Sequence, residues 1–329
     1  MYTYALDNIR FHARRIWAHG VEEKPMEKVK IKRLGYALGA ELTGVDLTTT
    51  LDDATFAEIK SAWLKYLVLC FPGQNLTKDQ FVSFAARFGE VEDNRVLKTN
   101  DPENPYITLL TNKPIAGRPW DGYKDGQNWH SDRSYRINPT PATFVLAQEL
   151  PEIGGDTMFA NQYMAYETLS PAVKNIVDDL FAVHDHDNVT GADQQGAEAV
   201  ATMRRNFPPV VHPVVRVHPE TGRKTLYAGG DRTRNFVGMT RQESEPLLDM
   251  LNRHAVTYEF TYRHRWHAHD LIMWDNRCLQ HIALKDYDIQ TQSRHMWRCN
   301  LKGPQTGRLL DDVKKLAASS AQRELSAVR

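Results

Sequence analysis

The chain has 329 residues, and its 41 lysines and arginines are balanced by 41 aspartates and glutamates, giving zero formal net charge and a pI near 7.2. That balance excludes a protein whose work is to coat nucleic acid or an anionic membrane, since both need a basic excess. Hydrophobic residues at 41% and aromatics at 10% suffice for a sizeable core, so a disordered chain is excluded as well. Length alone suggests about two domains, with one large β domain carrying insertions as the alternative. The three cysteines, Cys70, Cys278 and Cys299, form no Cys-x-x-Cys pair and no disulfide framework. Met1–Gly20 lacks the apolar core of a secretory signal, and no apolar run approaches the roughly 18 residues of a membrane span. The expectation is a reduced, soluble, cytoplasmic protein that acts on a small molecule, without nucleic-acid or membrane partners.

Residues 1–28 read as an extension. Leu6, Ile9, Ala13, Ile16 and Trp17 fall near helical spacing, so this segment either packs on its own domain or covers the partner subunit of a homo-oligomer. Val29–Leu34 alternates apolar and basic residues as a strand. Asp52-Asp53 opens a helix to about Tyr66, with Phe56, Ile59 and Trp63 on one face. Leu67–Phe71 is a short buried strand, and Thr77 with Gln80 forms a capping box for a helix that buries Phe81, Phe84 and Phe88. Asn112–Asn128, rich in Gly, Pro and Asp, is predicted as a loop of the kind that closes over a site.

Thr143–Ala147 is predicted as a strand. Ser170-Pro171 begins a helix to about Leu180, and Thr240 with Glu243 begins another to about His254. Strands follow at Tyr258–Tyr262, Leu271–Trp274 and His295–Leu301. The class is mainly β with helical additions, a β-sandwich or a jelly roll.

No GxGxxG, P-loop, GxSxG or HExxH motif is present, and attention falls on the 13 histidines. Two His-x-His pairs occur, His184-Asp-His186 and His267-Ala-His269, and they keep a zinc hydrolase open. A non-catalytic jelly roll that binds an anion is also open. The single His-x-Asp, His130-Ser-Asp132, is about what chance provides, but on a strand its two side chains share a face and could bind one ion. Two imidazoles and a carboxylate make the facial triad of non-haem Fe(II) oxygenases. His281, a short polar turn after the apolar strand ending at Trp274, suits the distant second histidine. In the strand that follows, alternation puts Arg294, Met296, Arg298 and Asn300 on one face and His295, Trp297, Cys299 and Leu301 on the other. Inward arginines are costly unless each meets an anion.

With these residues in hand, the sequence resembles the taurine dioxygenase family of Fe(II)- and 2-oxoglutarate-dependent oxygenases, which includes aryloxyalkanoate dioxygenases and alkylsulfatases. The resemblance rests on Asn128-Trp-His-Ser-Asp132, Gly154-Gly-Asp-Thr157, His212 through Pro219, Trp274-Asp-Asn-Arg277 with Gln280-His281, and Arg294-His-Met-Trp-Arg298. It implies a double-stranded β-helix (jelly roll, cupin-like) over 29–303, with an insertion at about 160–262 and a helical tail at 304–329. It further implies Fe(II) on His130, Asp132 and His281, with the distal carboxylate of the cosubstrate 2-oxoglutarate on Thr157 and Arg294. Arg298 would face an anionic substrate. O₂ would be consumed and succinate and CO₂ released as a C–H is hydroxylated, with C–S or C–O cleavage where the product collapses.

Three places depart from the family pattern. Val91–Lys98 lacks the histidine that taurine-cleaving members place on the sulfonate, so taurine itself is disfavoured. Arg133 and Arg232 stand where relatives carry apolar pocket residues, and both are candidate substrate contacts.

Overall fold

The computed structural model describes residues 29–95, 97–119, 126–186, 201 and 205–316. The expectations for 1–28 and for the end of the tail lie outside the described residues.

The strands, in chain order, are β1 (Lys30–Arg33), β2 (Ala40–Thr43), β3 (Val68–Phe71), β4 (Thr108–Thr111), β5 (Ala142–Glu149), β6 (Thr157–Asn161), β7 (Phe181–His184) and β8 (Val210–Pro213). They continue with β9 (Val215–Val217), β10 (Lys224–Leu226), β11 (Thr233–Phe236), β12 (Thr261–His264), β13 (Leu271–Asp275), β14 (Leu279–Ala283), β15 (His295–Asn300) and β16 (Arg308–Leu309). Helices are α1 (Asp53–Tyr66), α2 (Lys78–Ala86), α3 (Gln162–Glu167), α4 (Pro171–Val177) and α5 (Arg241–Ala255). The caps expected from Asp52, Thr77, Ser170 and Thr240 all accept backbone N–H bonds, and Thr77 and Thr240 complete capping boxes.

A seven-stranded sheet runs β1-β2-β3-β13-β5-β15-β4, antiparallel except for the β2–β3 pair. Strict alternation along its central strands divides it into two hydrophobic faces. Leu69, Phe71, Phe144, Leu146, Leu271, Met273 and Cys299 point to one side, where they meet Ile59 and Trp63 of α1 and Phe81 and Phe84 of α2. Val68, Cys70, Val145, Ala147, Ile272, Trp274 and Met296 point to the other, against Phe159 and Leu279 of a three-stranded sheet ordered β12-β6-β14. These two facing sheets form the jelly-roll core. A third cluster joins α3, α5 and β10 with Phe236 of β11, and β16 extends a four-stranded sheet ordered β11-β7-β8-β16.

One expected strand is corrected. Tyr258–Phe260 is a 3₁₀ turn, and β12 begins only at Thr261. The aromatics at 258, 260 and 262 imitate strand alternation, but Tyr258 is 90% exposed while Phe260 sits in the α3–α5 cluster.

Phe144 is fully buried, with its ring 6.0 Å from that of Phe84 and 5.4 Å from that of Phe88. Phe144→Ala should therefore cost about 3–5 kcal/mol, read as a lowered denaturation midpoint with an unchanged m-value. A loss below about 1 kcal/mol would place the main core elsewhere.

Candidate active site

The turn Asn276–Cys278 carries the chain from β13 in the larger sheet to β14 in the smaller one. His281 lies in the middle of β14, and His130 pairs with it as an isolated antiparallel bridge. The His130 N–H donates to the His281 carbonyl at 3.1 Å, and the His281 N–H donates back at 2.8 Å. Directly opposed residues of an antiparallel pair present side chains on the same face. The two imidazoles accordingly lie with ring centroids 4.2 Å apart.

Asp132 reaches them differently from the expected strand geometry. The backbone turns after Ser131, with the Ser134 N–H bonded to the Ser131 carbonyl at 3.4 Å, and this turn brings the carboxylate to the histidines. Asp132 Oδ1 lies 3.8 Å from His130 Nε2, and Oδ2 lies 3.8 Å from His281 Nε2. All three residues are buried, and their ligand atoms fall within 4.8 Å of one another.

Beneath Asp132 is a hydrogen-bonded polar layer, in which the Oδ1 of Asn300 alone is buried without a partner. The Thr143 hydroxyl donates to Asp132 Oδ2 at 2.6 Å and accepts from the amides of Asn276 at 2.8 Å and Asn300 at 2.9 Å. Asn276 Oδ1 in turn accepts from the Trp274 indole at 2.9 Å. Burial opposes the charge on Asp132, but His281, Arg298 and His130, with the Thr143 hydroxyl, hold its carboxyl below the usual carboxylate range. His130 Nδ1 lies 2.7 Å from the Asn128 carbonyl, so it carries the proton and leaves a lone pair on Nε2. Two imidazoles and one ionised carboxylate, buried and oriented this way, suit a divalent first-row metal.

A cavity of about 330 Å³ opens beside the cluster. His130, His281, Thr157, Arg294, Met296 and Arg298 all line it, so the alternation expected along β15 holds. Arg294 donates from Nε to the Gly155 carbonyl at 3.0 Å. Gly155 has φ 70, and a Cβ there would sit 3.2 Å from Arg294 Cδ, so both backbone and contact call for glycine. Thr157 accepts from the Trp266 indole at 3.0 Å, which leaves its own hydroxyl proton for a ligand. The Nε of Arg298 is buried without a hydrogen-bond partner, and no carboxylate among the described residues lies within 4.0 Å of either arginine. Lys98, Lys113, Arg118 and Lys285 add to the rim, and no Asp or Glu lines the cavity among the described residues.

Two expected contacts are corrected. Arg133 adopts φ 55 and turns away to pair with Glu92 and donate to Asn94 Oδ1 at 2.7 Å. Arg232 lies against Asp231 at 3.3 Å, donates to the His186 carbonyl at 2.8 Å and covers the Tyr135 ring. Neither lines the cavity. Nor do the two His-x-His pairs meet in a common cluster among the described residues. His184 packs against His212 and Tyr227. The sequence reading missed Trp266 and the Thr143–Asn276–Asn300 layer. The inward parity of Asn300 was the one available signal.

Residues 30–300 match the family model described as "Taurine catabolism dioxygenase TauD, TfdA family". The (S)-phenoxypropionate/alpha-ketoglutarate-dioxygenase of Delftia acidovorans is 34% identical over 291 residues, 84% of this chain and 97% of that one. The alkylsulfatase of Acinetobacter baylyi is 31% identical, over 86% of this chain and 88% of its own. The crystal structure of AAD-2 in complex with Mn(II) and N-oxalylglycine superposes with a TM-score of 0.73 at 30% identity, covering 85% of this chain and 99% of that one. The chain therefore belongs to the TauD, TfdA family and is a 2-oxoglutarate-dependent dioxygenase that uses Fe(II).

Proposed function

We propose that His130, Asp132 and His281 hold the iron, that Arg294 and Thr157 bind the distal carboxylate of 2-oxoglutarate, and that Arg298 receives the anionic group of the primary substrate. That substrate is a small sulfonate, sulfate ester, aryloxyalkanoate or carboxylate. The observation that carries this reading is the charge of the cavity wall. Arg294 and Arg298 line a space with no lining carboxylate among the described residues, and neither has a described carboxylate within 4.0 Å, whereas Lys113 at the same cavity is already paired with Glu149. A dianionic cosubstrate answers some of that charge, and an anionic substrate answers the rest.

When bound, Fe(II) couples oxidative decarboxylation of 2-oxoglutarate, to succinate and CO₂, to hydroxylation of a substrate C–H by O₂. Arg294 fixes one end of the cosubstrate: its guanidinium is planar, Gly155 already holds its Nε, and Thr157 supplies a hydroxyl donor beside it. Burial pushes the Arg294 guanidinium down from its ordinary value, a penalty that a bound carboxylate reverses. Leu109, Val145 and Met296 supply apolar wall, which keeps water from the reacting carbon. Arg298, on the same face as Arg294 and four residues on, orients the substrate relative to the cosubstrate. Where hydroxylation falls on a carbon bearing a sulfonate, sulfate or aryloxy group, the product collapses with cleavage. Plain hydroxylation is the alternative outcome.

Under anaerobic conditions, Fe(II) with 2-oxoglutarate should give a weak visible charge-transfer band that His130→Ala abolishes. Wild-type protein without a band would remove the ligand assignment. Thr143→Val should weaken Fe(II) affinity about 10- to 100-fold while leaving the protein folded, because Asp132 loses its donor. Unchanged affinity would make the polar layer irrelevant to the metal. In a panel of sulfonates, sulfate esters, aryloxyalkanoates and neutral analogues, wild-type succinate release should favour the anions. Arg298→Met should erase that preference, and equal wild-type activity on neutral analogues would contradict the role given to Arg298.

A further inference from the structure

A second group of metal-ligating side chains lies where the two sheets adjoin, away from the His130 cluster. Cys70 comes from β3, His264 closes β12, and Asp270 immediately precedes β13. Their Sγ, imidazole nitrogen and carboxylate oxygen lie within 4.8 Å of one another, and all three residues are buried. The His264 side chain is only 5% exposed, yet its Nε2 has no hydrogen-bond partner, although Asp270 Oδ2 is 3.4 Å away. The other ring nitrogen, Nδ1, lies 2.9 Å from the Tyr262 hydroxyl, which can take the ring proton and leave a lone pair on Nε2.

A fourth donor approaches from outside. His267, with its side chain 83% exposed, places Nδ1 3.4 Å from the same Asp270 oxygen. A tetrahedron with metal–nitrogen and metal–oxygen bonds of about 2.0–2.1 Å has edges of about 3.3–3.4 Å, so two edges of such a site are already in place. Asp270 itself is held by the His267 N–H at 2.8 Å and by its own N–H to the His267 carbonyl at 3.1 Å.

We propose that Cys70, His264, Asp270 and His267 form a structural site for a divalent metal of the zinc class, independent of the iron site. Coordination releases the Cys70 proton to solvent and involves no change of oxidation state. It would clamp β3 and β12, one strand from each sheet, to the loop that enters β13. It would also steady the cavity wall, because the His264 ring packs edge-on against Trp266 at 4.9 Å, and Trp266 donates to Thr157. The site uses one histidine of the His267-Ala-His269 pair.

The test uses the full chain, stripped of metal with a chelator and titrated with Co(II), then with Zn(II). Two Co(II) ions per chain should bind, with a near-ultraviolet thiolate-to-Co(II) absorption that the His130, Asp132 and His281 donors cannot produce. One equivalent of Zn(II) should remove that absorption. Cys70→Val should abolish it while His130→Ala retains it. His267→Ala, a surface change that leaves the fold intact, should weaken Zn(II) binding at this site at least about tenfold. A folded wild-type protein without the absorption overturns the proposal. So does an absorption that survives Cys70→Val, which would move the thiolate to Cys278 beside His218 and Asp275.

Discussion

The site depends on two backbone hydrogen bonds, exchanged between His130 and His281. Each contributes only about 0.5–1.5 kcal/mol net, so their importance lies in register rather than strength. They pin the segment from Asn128 to Ser134 against β14 so that both imidazoles emerge on one face. A slip of one residue would turn either histidine to the opposite side. The Ser131 hydroxyl, which donates to the Leu279 carbonyl at 2.7 Å, locks the same register from the next residue. Asp132 then has a single way to arrive, over the turn and onto the Thr143 hydroxyl.

The electrostatic design follows from that anchoring. Asp132 is stabilised as an anion by Arg298, by the two imidazoles beside it and by a hydroxyl whose acceptor capacity is filled by two amides. Arg294 and Arg298 are in the opposite condition: each is partly buried, and neither has a carboxylate within 4.0 Å among the described residues. A cavity built this way is destabilising while empty and gains on binding anions, so ligand binding and local order are linked. Glu92 is engaged by Arg133 and Arg136 and does not line the cavity.

Much of this was legible in the chain itself. Alternation along 294–301 separates residues bound for the helix-covered core from those bound for the cavity, because a strand between two hydrophobic layers has no third direction. The helix caps were legible for an equally local reason. Arg133 was not, since a residue beside a ligand can leave in any direction once the backbone takes a left-handed turn, and Arg232 was not, since its His186 and Tyr135 contacts are remote in sequence. Trp266 was invisible because it acts through one long-range bond to Thr157. The aromatics at 258, 260 and 262 misled because burial of Phe260 by helices mimics a strand period. The jelly roll, as opposed to a simple sandwich, came from the resemblance, since alternation alone does not specify how sheets connect.

In the proposed site one buried cluster holds the metal, and Arg294, not the outer basic residues, holds the far end of the cosubstrate. A crystal structure grown with Mn(II) and 2-oxoglutarate, phased with anomalous data, tests it most directly. The expected result is an anomalous peak bonded to His130 Nε2, His281 Nε2 and an Asp132 oxygen, with a cosubstrate carboxylate on Arg294 and Thr157. A peak elsewhere, or a carboxylate resting on Lys98 or Arg118 with Arg294 unengaged, would contradict it.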